Sequence, residues 1–131
     1  GDPLMDLGSA LAYWIQEDDD ALMKSSRRQP THLKGMLTRQ QVVDYYLDKT
    51  GLQPENWAFY EVFGLFRLAV IAQQIYYRYY HQQTDNPAFK DFWILIHALH
   101  IRALKLIAAN NAEAQQLIPE YGAKLQDILK R

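Results

Sequence analysis

The 131-residue chain contains no cysteine. Disulfides and thiolate metal sites are thereby excluded, and the composition fits a reducing cytoplasm. It also lacks an excess of either charge, with 14 basic residues against 15 acidic ones. No patch is basic enough to overcome that balance, so nucleic acid is not an expected partner. Strand signals are nearly missing: no run alternates apolar and polar residues, and no Asn-Gly hairpin turn occurs. There is no repeat of solenoid period, no visible signal peptide or lipidation motif, and no Walker loop, dinucleotide fingerprint or nucleophile elbow. The most apolar stretch, Ala58 to Ala72, is too short to span a bilayer and carries Glu61 and Arg67, whose charges would be costly there. It is expected to be a buried core helix, and no membrane partner is expected.

What is present is helical periodicity. Leu4, Leu7, Leu11 and Trp14 or Ile15 recur at three-to-four spacing, which predicts a first helix over Pro3 to Ile15. Asp2 suits its N-cap and Pro3 its first turn. Thr38 and Gln41 have capping-box spacing, and Gly51 is a left-handed stop, so a second helix is expected between them. A long third helix is expected from Pro54-Glu55-Asn56 to about His81. A fourth is expected from Pro87 to Asn110 or Asn111, and a last from Pro119 to about Lys130. The segment 16–37 turns from acidic to basic and contains Pro30 and Gly35. It is expected to be a flexible linker inside a single helical domain, 1–131. The fold class is therefore all-α, a bundle of about five helices.

Several side chains invite a chemical reading. Arg67 lies in an apolar helix and calls for a carboxylate or an anionic ligand. It serves either an ion pair with Asp44, Asp48 or Glu61, or an anchor for an anionic substrate group. Gly64, about one turn earlier, permits close approach by another backbone. Trp57 and Tyr60 are aromatic residues at helical spacing, suited to a core or to the wall of a pocket. The tyrosine cluster at 76–80 is expected to pack on one side and meet water on the other. His97 and His100 share a helix three residues apart, but no third ligand accompanies them in an apolar context. They are expected to be core or boundary histidines, with no metal.

One pattern reaches further. Gly1-Asp2-Pro3-Leu4-Met5-Asp6-Leu7-Gly8, followed by Tyr13-Trp14, resembles the segment just after the metal-binding aspartate in the aminoglycoside phosphotransferase family of kinase-like small-molecule kinases. A second stretch agrees: Asn56-Trp57, Phe59-Tyr60, Phe63, Leu65-Phe66-Arg67-Leu68-Ala69 and Ile75-Tyr76. It looks like the branch related to the kinase-like domain fused to some acyl-CoA dehydrogenases. The resemblance implies the helical C-terminal lobe of a kinase-like fold. It gives Asp6 the role of bracing the backbone of a catalytic loop, and it places Asp2 at the end of the metal-binding loop. Trp57, Tyr60 and Arg67 then fall on the substrate side. The acidic run Glu17 to Asp20 is either a solvated stretch or a site for a cationic acceptor, as acidic patches are in the aminoglycoside-modifying members.

The glycine-rich loop, the nucleotide-clamping lysine, the His-x-Asp loop and the metal-binding aspartate of that family have no counterpart in these residues. The expectation is a C-terminal piece of a larger phosphotransferase. It would carry no catalytic residue or cofactor of its own, whereas the intact protein uses ATP and magnesium to phosphorylate a hydroxyl of a small molecule. Its partner would be the absent nucleotide-binding part. The alternative is a free-standing helical interaction module that can form a homodimer through the face so exposed.

Overall fold

The computed structural model describes residues 1–19, 29–109 and 111–130. Among these residues are five α-helices and no strand. They are α1 (Pro3–Ala12), α2 (Arg39–Thr50), α3 (Trp57–Tyr80), α4 (Phe92–Ala108) and α5 (Ala112–Leu129), with short 3-10 turns at Pro30–His32 and Pro87–Phe89. The all-α class and the number of helices are those the sequence implied. The chain falls into two compact units, Gly1–Gly64 and Leu65–Arg131, with the boundary inside α3.

In the first unit, α1 begins as its sequence dictates. Asp2 is extended and its carboxylate accepts the Leu4 N–H at 2.9 Å, while Pro3 opens the first turn. The helix stops at Ala12, three residues before the periodicity ends. Its follow-on residues are committed elsewhere: the Trp14 indole donates to the Leu37 carbonyl at 2.8 Å, and the Ile15 N–H donates to the Thr31 hydroxyl at 3.1 Å. Thr31 is the buried polar residue among the described residues of this unit, whose buried apolar side chains include Leu4, Leu11, Ile15 and Val43. The capping box and the left-handed glycine stop of α2 both form. Thr38 accepts from Gln41 N–H, Gln41 accepts from Thr38 N–H, and Gly51 has φ of 73°.

The tightest feature of this unit is the contact of α1 with the start of α3. A Cβ on Gly64 would come within 2.5 Å of the Gly8 carbonyl carbon and 2.9 Å of Ser9 N. A Cβ on Gly8 would lie 2.8 Å from the Tyr60 carbonyl carbon and closer still to its oxygen. The two backbones therefore touch where both helices carry glycine, and the close approach expected at Gly64 is present.

In the second unit, α4 and α5 pack on each other. The buried apolar side chains are Leu65, Ala72, Ala98, Leu99, Ala108 and Leu125. Two boundaries differ from expectation. Pro87 opens a 3-10 turn capped by Asn86, and α4 follows only at Phe92. Pro119 does not open the last helix but sits inside it. The helix starts earlier because the Asn111 carboxamide accepts the Glu113 N–H at 3.0 Å. Gln115 reaches back to the terminal carbonyl of Ala108 at 2.8 Å. Pro119 then leaves the Gln115 carbonyl without its usual donor, a cost that α5 carries.

The expectation of a buried core helix over 58–72 holds on one side of α3 only. Gly64, Leu65 and Ala72 are buried, whereas Phe59, Phe66, Val70 and Ile71 are exposed. At 24 residues, α3 is long and apolar enough to cross a membrane by length and composition alone. Glu61 and Arg67 would be costly in that setting.

The glycine contact yields a paired test. Gly64→Ala should destabilise the protein by about 2–3 kcal/mol, because backbone rather than a pliable side chain blocks the methyl group. Gly122→Ala, where nothing lies within 4 Å in the middle of α5, should stabilise it by roughly 0.5–1 kcal/mol. Chemical denaturation of the two variants measures both signs.

Candidate functional site

A groove lies in the first unit, and of the expected site residues Tyr60 lines it. It encloses about 520 Å³ and is lined by Leu4, Leu52, Glu55, Asn56, Phe59 and Tyr60, with Gln53 and Pro54 completing the wall. Its position follows from local sequence. Pro54 and Glu55, expected to start α3, instead form the approach to it, and the helix proper begins at Trp57. The Asn56 carbonyl accepts the Phe59 N–H and so sets the first turn. Gly8 then places α1 against the Tyr60 carbonyl.

An aromatic ladder runs along this end of α3. Trp57 stacks on Tyr60 at 5.8 Å between ring centres, Phe59 meets Tyr60 edge-on at 5.4 Å, and Phe59 stacks on Phe63 at 6.4 Å. The Trp57 indole donates to Glu61 at 2.7 Å. Desolvation, then the charge of nearby Asp2 and its capacity to accept from the hydroxyl, hold the Tyr60 phenol above its ordinary range near 10.0.

The structure therefore brings Asp2, Trp57 and Tyr60 together. It does not add Asp6, which is exposed to solvent on α1. Arg67 is exposed as well and belongs to the second unit. Of the acidic run, Glu17 and Asp18 are exposed and Asp19 is half-buried; Asp20 lies outside the described residues, as do Lys24, Arg27 and Arg28.

Asp19 shows what the sequence reading missed. It makes a two-pronged ion pair with Arg39, at 2.7 and 2.8 Å, with both side chains largely shielded. Arg39 also donates to the Trp14 carbonyl at 2.8 Å, and its backbone N–H donates to Gln16 at 3.0 Å. Twenty residues separate the partners in sequence, and no local motif signals the pairing.

His97 and His100 are used in the α4–α5 contact. The Tyr121 hydroxyl and Nδ1 of His97 share a hydrogen bond, and the Tyr121 ring meets His100 edge-on at 4.6 Å. Among the described residues, no three His, Cys, Asp or Glu side chains form a set that could hold a metal. Burial, then the proximity of His100, holds His97 below its ordinary value of 6.5; burial raises Tyr121.

No protein-family model matches the chain, and no solved structure matches it. Among curated proteins, it is 34% identical over 80 residues to acyl-CoA dehydrogenase family member 10 of Mus musculus. The match covers 60% of this chain and 7% of that protein. The chain thus spans a small part of that relative's length.

Two measurements follow. Arg39→Met should cost about 2–3 kcal/mol, because it strands the shielded Asp19 carboxylate; urea denaturation reads the loss. The second concerns pH. Above pH 6.5 His97 is neutral in both folded and unfolded chains. Below it the unfolded chain takes up a proton that the folded one resists, so stability falls with pH through that range. The melting temperature should drop between about pH 7 and about pH 5, and the drop should be smaller in His97→Gln.

Proposed function

We propose that this chain is the substrate-side helical part of an ATP-dependent phosphotransferase acting on a hydroxyl of a small molecule. The observation that carries the reading is the Gly1-Asp2-Pro3-x-x-Asp6-Leu7 turn into α1, joined to the Asn56-Trp57-x-Phe59-Tyr60 stretch that opens α3. The 34% identity to acyl-CoA dehydrogenase family member 10 supports the branch of the aminoglycoside phosphotransferase family in which a kinase-like domain accompanies an acyl-CoA dehydrogenase. In the intact protein the nucleotide-binding part supplies the phosphate-holding groups and magnesium, and catalysis is mostly positioning and charge stabilisation. Asp6, exposed on α1, accepts hydrogen bonds from the catalytic loop of that part. Asp2 fixes the turn that leads into the helix.

The groove beside Tyr60 and Phe59 is the acceptor side. Its lining holds no lysine or arginine. That suits an organic acceptor and not the phosphates of a nucleotide, which require cations or a glycine-rich nest. The resemblance also puts Arg67, in the second unit, on the substrate side, where it would meet an anionic group of the acceptor. The location is the cytoplasm, where ATP is available.

The test is a phosphoryl-transfer screen of the full-length protein against a panel of hydroxylated metabolites, with labelled ATP and magnesium. Transfer to one acceptor class is expected. Asp6→Asn should lower kcat at least about tenfold without unfolding the protein. Arg67→Met should raise KM and leave kcat near its starting value. Absence of transfer to any acceptor, or unchanged kinetics in both folded variants, would overturn the reading. The 131-residue chain alone should show no thermal shift with ATP and magnesium.

A further inference from the structure

The part of α3 that belongs to the second unit presents an aromatic face to solvent. Phe66 is 63% exposed, Tyr77 55% and Tyr80 69%, while Val70 leaves more than a third of its surface open. Phe66, Val70, Gln73, Tyr77 and Tyr80 follow one another at spacings of four, three, four and three. That is the seam of a coiled-coil helix, a narrower and more regular stripe than a surface helix needs. Buried Leu65 and Ala72 lie on the other side. The rings are also pre-arranged, with Tyr77 against His81 at 4.2 Å and Tyr80 edge-on to His81 at 5.3 Å. Holding them in place before association lowers its entropic cost.

We infer that this face is a homodimer interface, in which α3 of one copy pairs antiparallel with α3 of a second. Two features favour a second copy as the occupant. The first is area. Three half-exposed aromatic rings with Val70 leave on the order of 450 Å² of largely apolar surface open. That is more than half of the roughly 800 Å² per partner of a standard interface, and flanking side chains supply the rest. The second is self-complementarity. An antiparallel pair sets each a position against a d position of the other helix. Phe66 then meets the partner's Tyr77, and Val70 meets the partner's Gln73. Ring packs on ring at both ends, and the smaller and polar residues fall at the two-fold axis. Charge does not favour the pairing: no acidic residue lies between Glu61 and Asp85, so both copies bring only Arg67 and Arg78 to the margins, and the register limits their repulsion by setting Arg67 opposite the partner's Gln74. The single polar seam residue, Gln73, sets the register at some cost in affinity.

The inference stands apart from the phosphotransferase reading, because no acceptor or nucleotide enters it. Sedimentation of the 131-residue chain should show a dimer that dissociates in the micromolar range. Phe66→Glu should weaken it more than tenfold while circular dichroism retains the helix content. The absence of native cysteine permits an orientation test. Mixing Val70→Cys and Gln73→Cys chains under mild oxidation should give a disulfide-linked pair, whereas neither chain alone should. A bridge requires Cα atoms within about 7 Å, which the antiparallel layer provides and like-with-like positions do not. Self-linking of either single-cysteine chain with no gain on mixing would overturn the antiparallel register. A chain that stays monomeric at about 200 µM, a scale on which micromolar association saturates, would overturn the dimer. So would a monomer that instead co-sediments with phosphatidylserine-containing vesicles, which would assign the face to a membrane surface.

Discussion

The crossing of α1 over the start of α3 at Gly8 and Gly64 is the constraint on which the first unit depends. Helices usually pack 8–10 Å apart because side chains keep their backbones separate. Here the backbones meet, since a Cβ on either glycine would enter the other helix's peptide group. Such a contact tolerates no sliding. It fixes α1 along the axis of α3, and with it the place of Asp2 relative to Tyr60. The groove next to Tyr60 inherits its shape from that crossing, because Leu4 forms one wall from α1 while Phe59 and Tyr60 form another from α3. A site assembled from two helices and a loop is thus held by a contact made four residues away on each helix.

A second fixed point lies at the end of α1. Arg39 gathers Asp19, Trp14 and Gln16 at the N-terminal turn of α2. Arginine suits this role because its planar fork can serve a carboxylate with two donors and still give one to a carbonyl. The ion pair ties residue 19 to residue 39, which closes the base of the segment between them whatever that segment does. Thr31 adds a tie from inside the same segment, through its hydroxyl to Ile15.

Local signals were legible in the sequence and long-range ones were not. Thr38, Gln41 and Gly51 bound α2 as read, because a capping box and a left-handed stop are settled within a few residues. Asp2 as the cap of α1 was equally plain. The end of α1 was not, because Trp14 and Ile15 continue the apolar period yet are claimed by Leu37 and Thr31, far along the chain. Pro119 misled in another way. Proline favours a first turn, but Asn111 offers a cap eight residues earlier, and α5 accepts the lost hydrogen bond. The candidate site was half legible: Tyr60 and Trp57 stood out as aromatics, but that Asp2 would lie near Tyr60 depended on the Gly8 contact. The helix 58–72 was misjudged because apolar composition was equated with burial. Buried residues are mostly apolar, but apolar residues need not be buried.

That last asymmetry separates the two ends of α3. Around Tyr60 the exposed aromatics border a concave groove with a carboxylate, carboxamides and a hydroxyl in its wall, the mixture of apolar surface and a few polar groups that small molecules use. From Phe66 to Tyr80 the exposed aromatics form a straight ridge whose one polar seam residue is Gln73. A ridge cannot enclose a small molecule, but it can interdigitate with another helix. The same apolar richness therefore has two different physical consequences along one helix, decided by whether neighbouring chain builds a wall beside it. At the first end, the loop from Leu52 to Asn56 builds that wall. The polar groups in the groove wall come from Gln53, Glu55, Asn56 and the Tyr60 hydroxyl, all on that loop or the first turn of α3, whereas the ridge has no such loop beside it.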